Sequence, residues 1–81
     1  MRHELKVWKQ YFAMLFCGSK KFEVRKNDRN YKLGDELILR EWDEIKEEYT
    51  GRMLHRRVNY ILEGGQFGIE KGYVVMSLSK I

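Results

Sequence analysis

Apolar residues recur along the chain with two different periods, one typical of strands and one typical of a helix. Residues 3 to 8 (HELKVW) alternate from side to side, as in a strand. One helical stripe follows, made of large residues three or four positions apart: Trp8, Tyr11, Phe12 and Leu15. Gly18 comes next and has the freedom needed to end a helix. The pattern therefore predicts a strand followed by a helix that stops at about residue 18.

Strand alternation returns directly after the helix. Residues 20 to 25 (KKFEVR) place Phe22 and Val24 on one face and Glu23 and Arg25 on the other. The next five residues, KNDRN, have the composition of a turn, because Asn and Asp tolerate left-handed backbone and bond to nearby backbone groups. This segment is predicted to be a short strand that ends in a tight turn.

Three more strands are predicted in the second half of the chain. Residues 35 to 42 (DELILREW) form one strand with Leu37 and Leu39 facing inward, and Gly51 is expected to turn the chain into a hairpin. The return strand is expected to place alternate residues on one face: Leu54, Arg56, Val58 and Tyr60. After a Gly-rich loop, residues 72 to 78 (GYVVMSL) are apolar on both faces, which favours a central strand.

These elements predict a mainly β protein of the α+β class, with about five strands and one helix after the first strand. Closing so short a sheet into a small mixed barrel, with the helix over one open end, removes exposed strand edges. A chain of 81 residues has room for one core, so residues 1 to 81 are expected to form a single domain.

Composition excludes several classes of function. The single cysteine, Cys17, and two histidines cannot supply an internal disulfide or a four-ligand zinc site, and no metal or cofactor is expected. The longest apolar run, residues 12 to 17, is far shorter than a membrane span, and the first residues lack the apolar core of a signal peptide. We therefore expect a cytoplasmic protein with no membrane partner, either a monomer or a weak homodimer that uses the Met14 and Cys17 helix face.

Charge is strongly segregated within a formal net charge of +4. Residues 20 to 29 and residues 52 to 57 each sum to +3, whereas residues 41 to 48 sum to −4. If the two basic segments meet in space, they form a patch able to hold phosphates. Otherwise they are two separate solvated faces, and the sequence leaves both alternatives open.

Few side chains in the chain are arranged for nucleophilic catalysis. Cys17 is expected in the last helical turn, where the negative end of the helix dipole raises a thiol pKa, so an inert side chain is predicted. His3 and His55 have no identifiable orienting partner. Trp8, Tyr31 and Tyr73 are candidates for base stacking, although aromatic residues at such positions more often belong to a core.

The stretch GSKKFEVR, residues 18 to 25, fits the pattern G-x-K-x-x-E-x-R. This pattern resembles the signature of the ASCH (activating signal cointegrator homology) domains, relatives of the PUA domains, and the flanking segments HELK, EVRKNDR and GYVVMS resemble a compact bacterial and phage branch of them. The resemblance implies a PUA-like barrel whose signature residues line a cleft beside the helix, and RNA or another nucleic acid as the ligand.

We expect the nucleic-acid site to consist of five polar residues carried by this segment: Lys20, Glu23, Arg25, Lys26 and Arg29. Three further residues are possible additions: His3, Arg57 and Tyr73. Arg25 would hold a phosphate or stack on a base, and Glu23 would orient Arg25 or accept from a base amino group. A plain surface salt bridge between Glu23 and Arg25 is the alternative explanation.

Catalysis is the less favoured interpretation of the same residues. One related branch consists of small amidohydrolases that deacylate N4-acetylcytidine, and Lys20 matches their lysine while Glu23 stands where they have threonine. On that interpretation Lys20 and Glu23 form the reactive pair. A weak ribonuclease is a third alternative. Otherwise no catalytic residue is assigned.

Overall fold

The computed structural model describes residues 1–81 and contains five strands and one helix. In chain order these elements are β1 (Arg2–Trp8), α1 (Lys9–Cys17), β2 (Phe22–Lys26), β3 (Glu36–Asp43), β4 (Glu48–Glu63) and β5 (Tyr73–Lys80). The prediction of a mainly β protein with one helix after the first strand is confirmed. Gly18 ends α1 with a left-handed backbone at φ 85°, also as predicted.

All five strands belong to one sheet in the order β1-β3-β4-β5-β2. The pair β1 and β3 is parallel, and the other neighbouring pairs are antiparallel. No backbone ladder joins β1 to β2, so these two strands are the edges of the sheet. The sheet curls until its two edges approach each other. The side chain of Arg25 on β2 therefore reaches the backbone carbonyl of Lys6 on β1. We call the gap between these two edges the seam.

The concave side of the curled sheet holds the hydrophobic core, and α1 covers it. Phe12 and Leu15 are the buried residues of the helix and join the core cluster of the strands. Leu37 and Leu39 of β3 are fully buried, as their alternation predicts. The nine-residue α1 falls well short of the length a membrane crossing needs, and there is no other helix.

The β3–β4 hairpin turns earlier than the sequence predicts. Its turn lies at residues 44 to 47, where Asp43 Oδ1 accepts hydrogen bonds from the amides of Ile45 and Lys46. Gly51 instead lies inside β4, at a register shift opposite Glu41, with φ 94°. A glycine in this conformation fits a β-bulge as well as a turn, so the sequence pattern alone does not distinguish the two.

A second register shift changes the face pattern of β4. Val58 pairs with Leu78, but Tyr60 pairs with Ser77, so the chain gains one residue at Asn59. As a result Tyr60 is exposed, whereas Ile61 packs against the core. The prediction that Val58 and Tyr60 share a face is therefore wrong, because a bulge resets the alternation.

Candidate functional site

A cavity of about 690 Å³ lies across the seam, beside the start of α1. We call this cavity the cleft. It is lined by residues from the end of β1, from α1 and the segment after it, from β2 and from the start of β5. Its cationic members are Lys6, Lys20, Arg25 and Lys26. Its aromatic members are Trp8, Tyr11, Phe22 and Tyr73. One carboxylate, that of Glu23, also faces this space.

The polar face of β2, not its apolar face, points into the molecule. Glu23 is only 4% exposed, whereas Phe22 and Val24 on the other face are 44% and 48% exposed. The buried carboxylate is held by two cations, because Arg25 Nε donates to Glu23 Oε2 at 2.6 Å and Lys20 Nζ lies 3.5 Å from Glu23 Oε1. Without such partners, a buried carboxylate would be strongly destabilising.

Two arginines bridge the seam between the edge strands. Arg25 Nη2 donates to the carbonyl of Lys6 at 2.5 Å, and Arg29 Nη1 donates to the carbonyl of Glu4 at 2.7 Å. Arg25 therefore joins the cleft, the buried Glu23 and the opposite edge strand, while its Nη1 group keeps its donors free. Arg29, which the sequence predicts to be a ligand-binding residue, does not line the cleft but lies further along the seam.

The aromatic residues of the cleft remain accessible to a ligand. Trp8, Tyr11 and Phe22 are each between 44% and 49% exposed. Lys20 Nζ lies 5.2 Å from the centre of the Tyr11 ring and 5.3 Å from the centre of the Phe22 ring, so the cation is flanked by two ring faces. The walls of the cleft are thus aromatic, and its charged groups stand between them.

The sequence predicts only some of the aromatic residues that line the cleft. Trp8 and Tyr73 line the cleft, but Tyr31 is buried in the core. Tyr11 and Phe22 also line the cleft, but the sequence pattern does not predict this, because alternation places both on apolar faces without showing which face is covered. No sequence pattern marks these two residues, because their approach to Lys20 is a tertiary contact.

Two of the possible additional residues lie away from the cleft. His3 is buried, with Nε2 2.8 Å from Asp35 Oδ2 and its ring edge-on to Tyr31 at 4.9 Å. Arg57 lies on the outside of the sheet, 3.5 Å from Glu36, and donates to the Gly34 carbonyl. Neither His3 nor Arg57 lines the cleft.

Asp35 is predicted to make the stability of the protein acid-sensitive. Burial by itself raises the pKa of Asp35, but hydrogen bonds from His3 and the Lys32 amide outweigh it and hold that pKa below 3.8. A carboxylate with a lowered folded-state pKa stabilises the protein fully above its unfolded pKa, and this stabilisation is lost as pH falls through the folded pKa. We therefore expect Asp35→Asn to flatten the decline of unfolding free energy below about pH 4.

Urea unfolding at steps between pH 6 and pH 2 measures this decline. Asp28→Asn removes one carboxylate from an exposed turn and corrects for the change in net charge. If Asp35→Asn and the unsubstituted protein lose stability in parallel over that range, the assigned role of Asp35 is wrong.

Cys17 differs from its predicted chemistry. Its Sγ lies 3.3 Å from Ser19 Oγ, and hydrogen bonds with the hydroxyl and then the amide of Ser19 lower the pKa of the thiol. The helix dipole had been expected to raise this pKa, but the local hydrogen bonds dominate at this exposed position. No group of three or more His, Cys, Asp or Glu side chains is placed to hold a metal ion.

The two basic segments meet in a second, smaller cavity of about 300 Å³, which we call the basic cavity. Lys20 and Lys21 line it from the first segment and Arg56 from the second, and Lys80 of β5 completes the set. Arg52 lies elsewhere, with its guanidinium 4.8 Å from the Phe16 ring. The charge pattern allowed either one joint basic patch or two separate basic faces. Arg56 joins the first basic segment in one patch, whereas Arg52 and Arg57 lie outside it.

The sequence matches a known family along almost its whole length. Residues 2–78 fit the model of a domain of unknown function, DUF3850, and the chain belongs to this family. A curated relative is described as "Uncharacterized 12.9 kDa protein in GpA 3′ region" of Escherichia phage P2. It is 41% identical over 61 residues, which cover 75% of this chain and 54% of the relative. The matched segment thus spans about half the length of that phage protein.

Proposed function

We propose that this DUF3850 domain binds single-stranded nucleic acid, most favourably RNA, in the cleft. The observation that carries the proposal is the presence of half-exposed aromatic rings and cationic side chains around one cavity. Proteins that bind single strands combine these two features, because bases stack on aromatic rings while cations follow the phosphates. The preference for RNA over DNA, and a PUA-like fold of the ASCH type, rest on the resemblance of GSKKFEVR to the ASCH signature.

Three polar residues of the cleft, Glu23, Arg25 and Lys26, have proposed roles in recognising the ligand. Glu23 Oε1 makes only a long contact of 3.5 Å with Lys20, which leaves it able to accept a hydrogen bond from the amino group of a base. The free Nη1 donors of Arg25 and the exposed ammonium of Lys26 provide phosphate contacts. Trp8, Tyr11 and Phe22 supply ring faces for stacking.

Amide chemical shifts would test the proposal directly. Isotope-labelled protein is titrated with a mixed-sequence single-stranded RNA of about ten nucleotides, since single-strand sites span roughly 4 to 16 nucleotides. We expect salt-sensitive shifts at residues 6 to 11 and 20 to 26, with affinity falling by roughly 0.7 log units per phosphate contact for each log unit of salt. If those amides do not move at low salt, the proposal fails. Single-stranded DNA of the same sequence tests the preference for RNA.

Trp8→Ala is predicted to weaken RNA binding substantially while leaving the fold intact. Stacking of one base on an aromatic ring contributes about 1–3 kcal/mol, so the dissociation constant should rise by roughly 5- to 150-fold. Trp8 precedes α1 without making a side-chain cap, so its truncation removes no helix-capping hydrogen bond. Fluorescence anisotropy of a labelled oligonucleotide measures the effect.

Phe67→Ala is the matched control for this prediction, because Phe67 is 81% exposed and does not line the cleft. Its dissociation constant should equal that of the unsubstituted protein. Equal losses in Trp8→Ala and Phe67→Ala would instead show nonspecific contact with exposed aromatic rings.

A second candidate function is hydrolysis of an N4-acylated cytidine. The contact between Lys20 and the buried Glu23 within the cleft favours it, because a lysine and a carboxylate can share the proton transfers of a hydrolysis. Water would add to the acyl carbon, and cleavage of the C–N bond would release a carboxylic acid and cytidine. Release of acetate from N4-acetylcytidine, abolished by Lys20→Gln, tests this function. An enzyme acting on a neutral nucleoside should also be nearly insensitive to salt, unlike an RNA-binding protein.

A further inference from the structure

We propose that the basic cavity is a second phosphate site, separate from the cleft and lined by Lys21, Arg56 and Lys80. These three cations, together with Lys20, surround a space of about 300 Å³, and no carboxylate lines it. Leu15 and Leu78 supply apolar surface, next to which charge attraction is less screened than in open water. The ligand chemistry that fits is a phosphoryl group, either free phosphate or a phosphodiester of a nucleic acid.

Arg56 lacks an anionic partner within the protein. Five of the other arginines form ion pairs with carboxylates: Arg2, Arg25, Arg40, Arg52 and Arg57. Arg29 bridges the seam. Arg56, although half-buried, donates only to the carbonyl of its own neighbour His55. An arginine at a half-buried position without a counter-charge is well suited to bind an external anion.

Strand register places like charges opposite each other at this site. Arg56 of β4 pairs with Lys80 of β5. Two residues before Lys80 on the same strand, the Leu78 amide donates to the carbonyl of Lys21. Like charges directly across a strand pair destabilise a sheet, and a bound anion would remove this repulsion. The structure therefore retains an unfavourable cation pair at the point where a phosphate would stabilise it.

The lysines are not needed to satisfy the end of α1. The Lys20 amide donates to the Met14 carbonyl at 3.0 Å, and the Gly18 amide donates to the Leu15 carbonyl at 3.3 Å. Backbone amides thus occupy these terminal carbonyls, as in an ordinary glycine C-cap. The ammonium groups of Lys21 and Lys80, which form no ion pair, remain available to a ligand.

Lys20 lines both the cleft and the basic cavity, so the two spaces are neighbours. A single-stranded nucleic acid with one base in the cleft would place a neighbouring phosphate in the basic cavity. This part of the inference rests on the proposed function, whereas binding of free phosphate does not.

The test compares Arg56→Gln with Arg2→Gln, a change of equal charge at an exposed arginine that lines neither cavity. For Arg56→Gln we expect RNA affinity to fall roughly tenfold at low salt, the usual value of a charge-assisted contact. The salt slope should also fall by about 0.7, as for one lost phosphate contact on a single strand. For Arg2→Gln we expect smaller changes in both the RNA affinity and the salt slope than for Arg56→Gln.

Titration with inorganic phosphate, followed by the amides of Lys21, Arg56 and Lys80, separates the two sources of the ligand. Arg56-dependent shifts with phosphate, combined with unaltered RNA binding in Arg56→Gln, would support a free-phosphate site and remove the link to the cleft. If RNA fails to move the cleft amides, the proposed function falls while the phosphate titration still decides this site. No phosphate response, together with equal RNA binding by Arg56→Gln and Arg2→Gln, would overturn the inference.

Discussion

Phe12→Ala is expected to lower the free energy of unfolding by about 3–5 kcal/mol, the usual cost of removing a buried phenyl ring. Phe12 is 1% exposed and is one of only two helical residues in the core. A nine-residue helix is too short to be stable alone, so α1 depends on this packing. Loss of the ring would loosen α1 and with it the Trp8 and Tyr11 wall of the cleft.

Phe16→Ala is the matched control, since it makes the same change on the same helix at a residue that is 59% exposed. Urea unfolding followed by circular dichroism should show a loss below about 1 kcal/mol for this variant. The two rings stack at 6.5 Å, so a small loss is expected even there. Equal losses in both variants would contradict the arrangement of α1 over the core.

Arg25→Ala is expected to lower the free energy of unfolding by about 2–4 kcal/mol. This is somewhat less than the cost of breaking a fully buried ion pair, because Arg25 still contacts water. The substitution leaves the carboxylate of Glu23 buried, with only the 3.5 Å contact to Lys20. It also removes the hydrogen bond to the Lys6 carbonyl across the seam. Both losses act at the same point of the fold, so Arg25 supports the shape of the cleft as well as its charge.

A double-mutant cycle measures how far the two residues are coupled. Glu23→Ala combined with Arg25→Ala should cost clearly less than the sum of the two single changes, because the double variant leaves no unpaired buried charge. Additive losses would show that Glu23 and Arg25 act independently. Arg25→Lys retains the charge but not the forked donors, and should lie between the unsubstituted protein and Arg25→Ala.

Local periodicity was sufficient to predict the number and order of the elements. The alternation of β1, the helical stripe ending at Gly18 and the inward Leu37 and Leu39 all appear in the structure. Bulges at Gly51 and Asn59 were not predictable in the same way, because each depends on how β4 pairs with its neighbours. The sequence pattern continues through such a position while the faces exchange.

The candidate site was predictable in its charged residues more than in its geometry. Lys20, Glu23, Arg25 and Lys26 do come together in the cleft, as does Tyr73. That Glu23 points inward while Phe22 points outward could not be read from β2 alone. Burial of a carboxylate becomes possible only when cations from two segments converge on it, and convergence is a tertiary property.

The seam also bears on whether the exposed strand edges can pair with another molecule. An unpaired edge strand is a template on which another chain can add a strand, and such pairing leads to aggregation. Here the two edges face each other, and the carbonyls of Glu4 and Lys6 are occupied by guanidinium groups from Arg29 and Arg25. We therefore expect the two arginines to hinder strand pairing between molecules at this edge of the curled sheet.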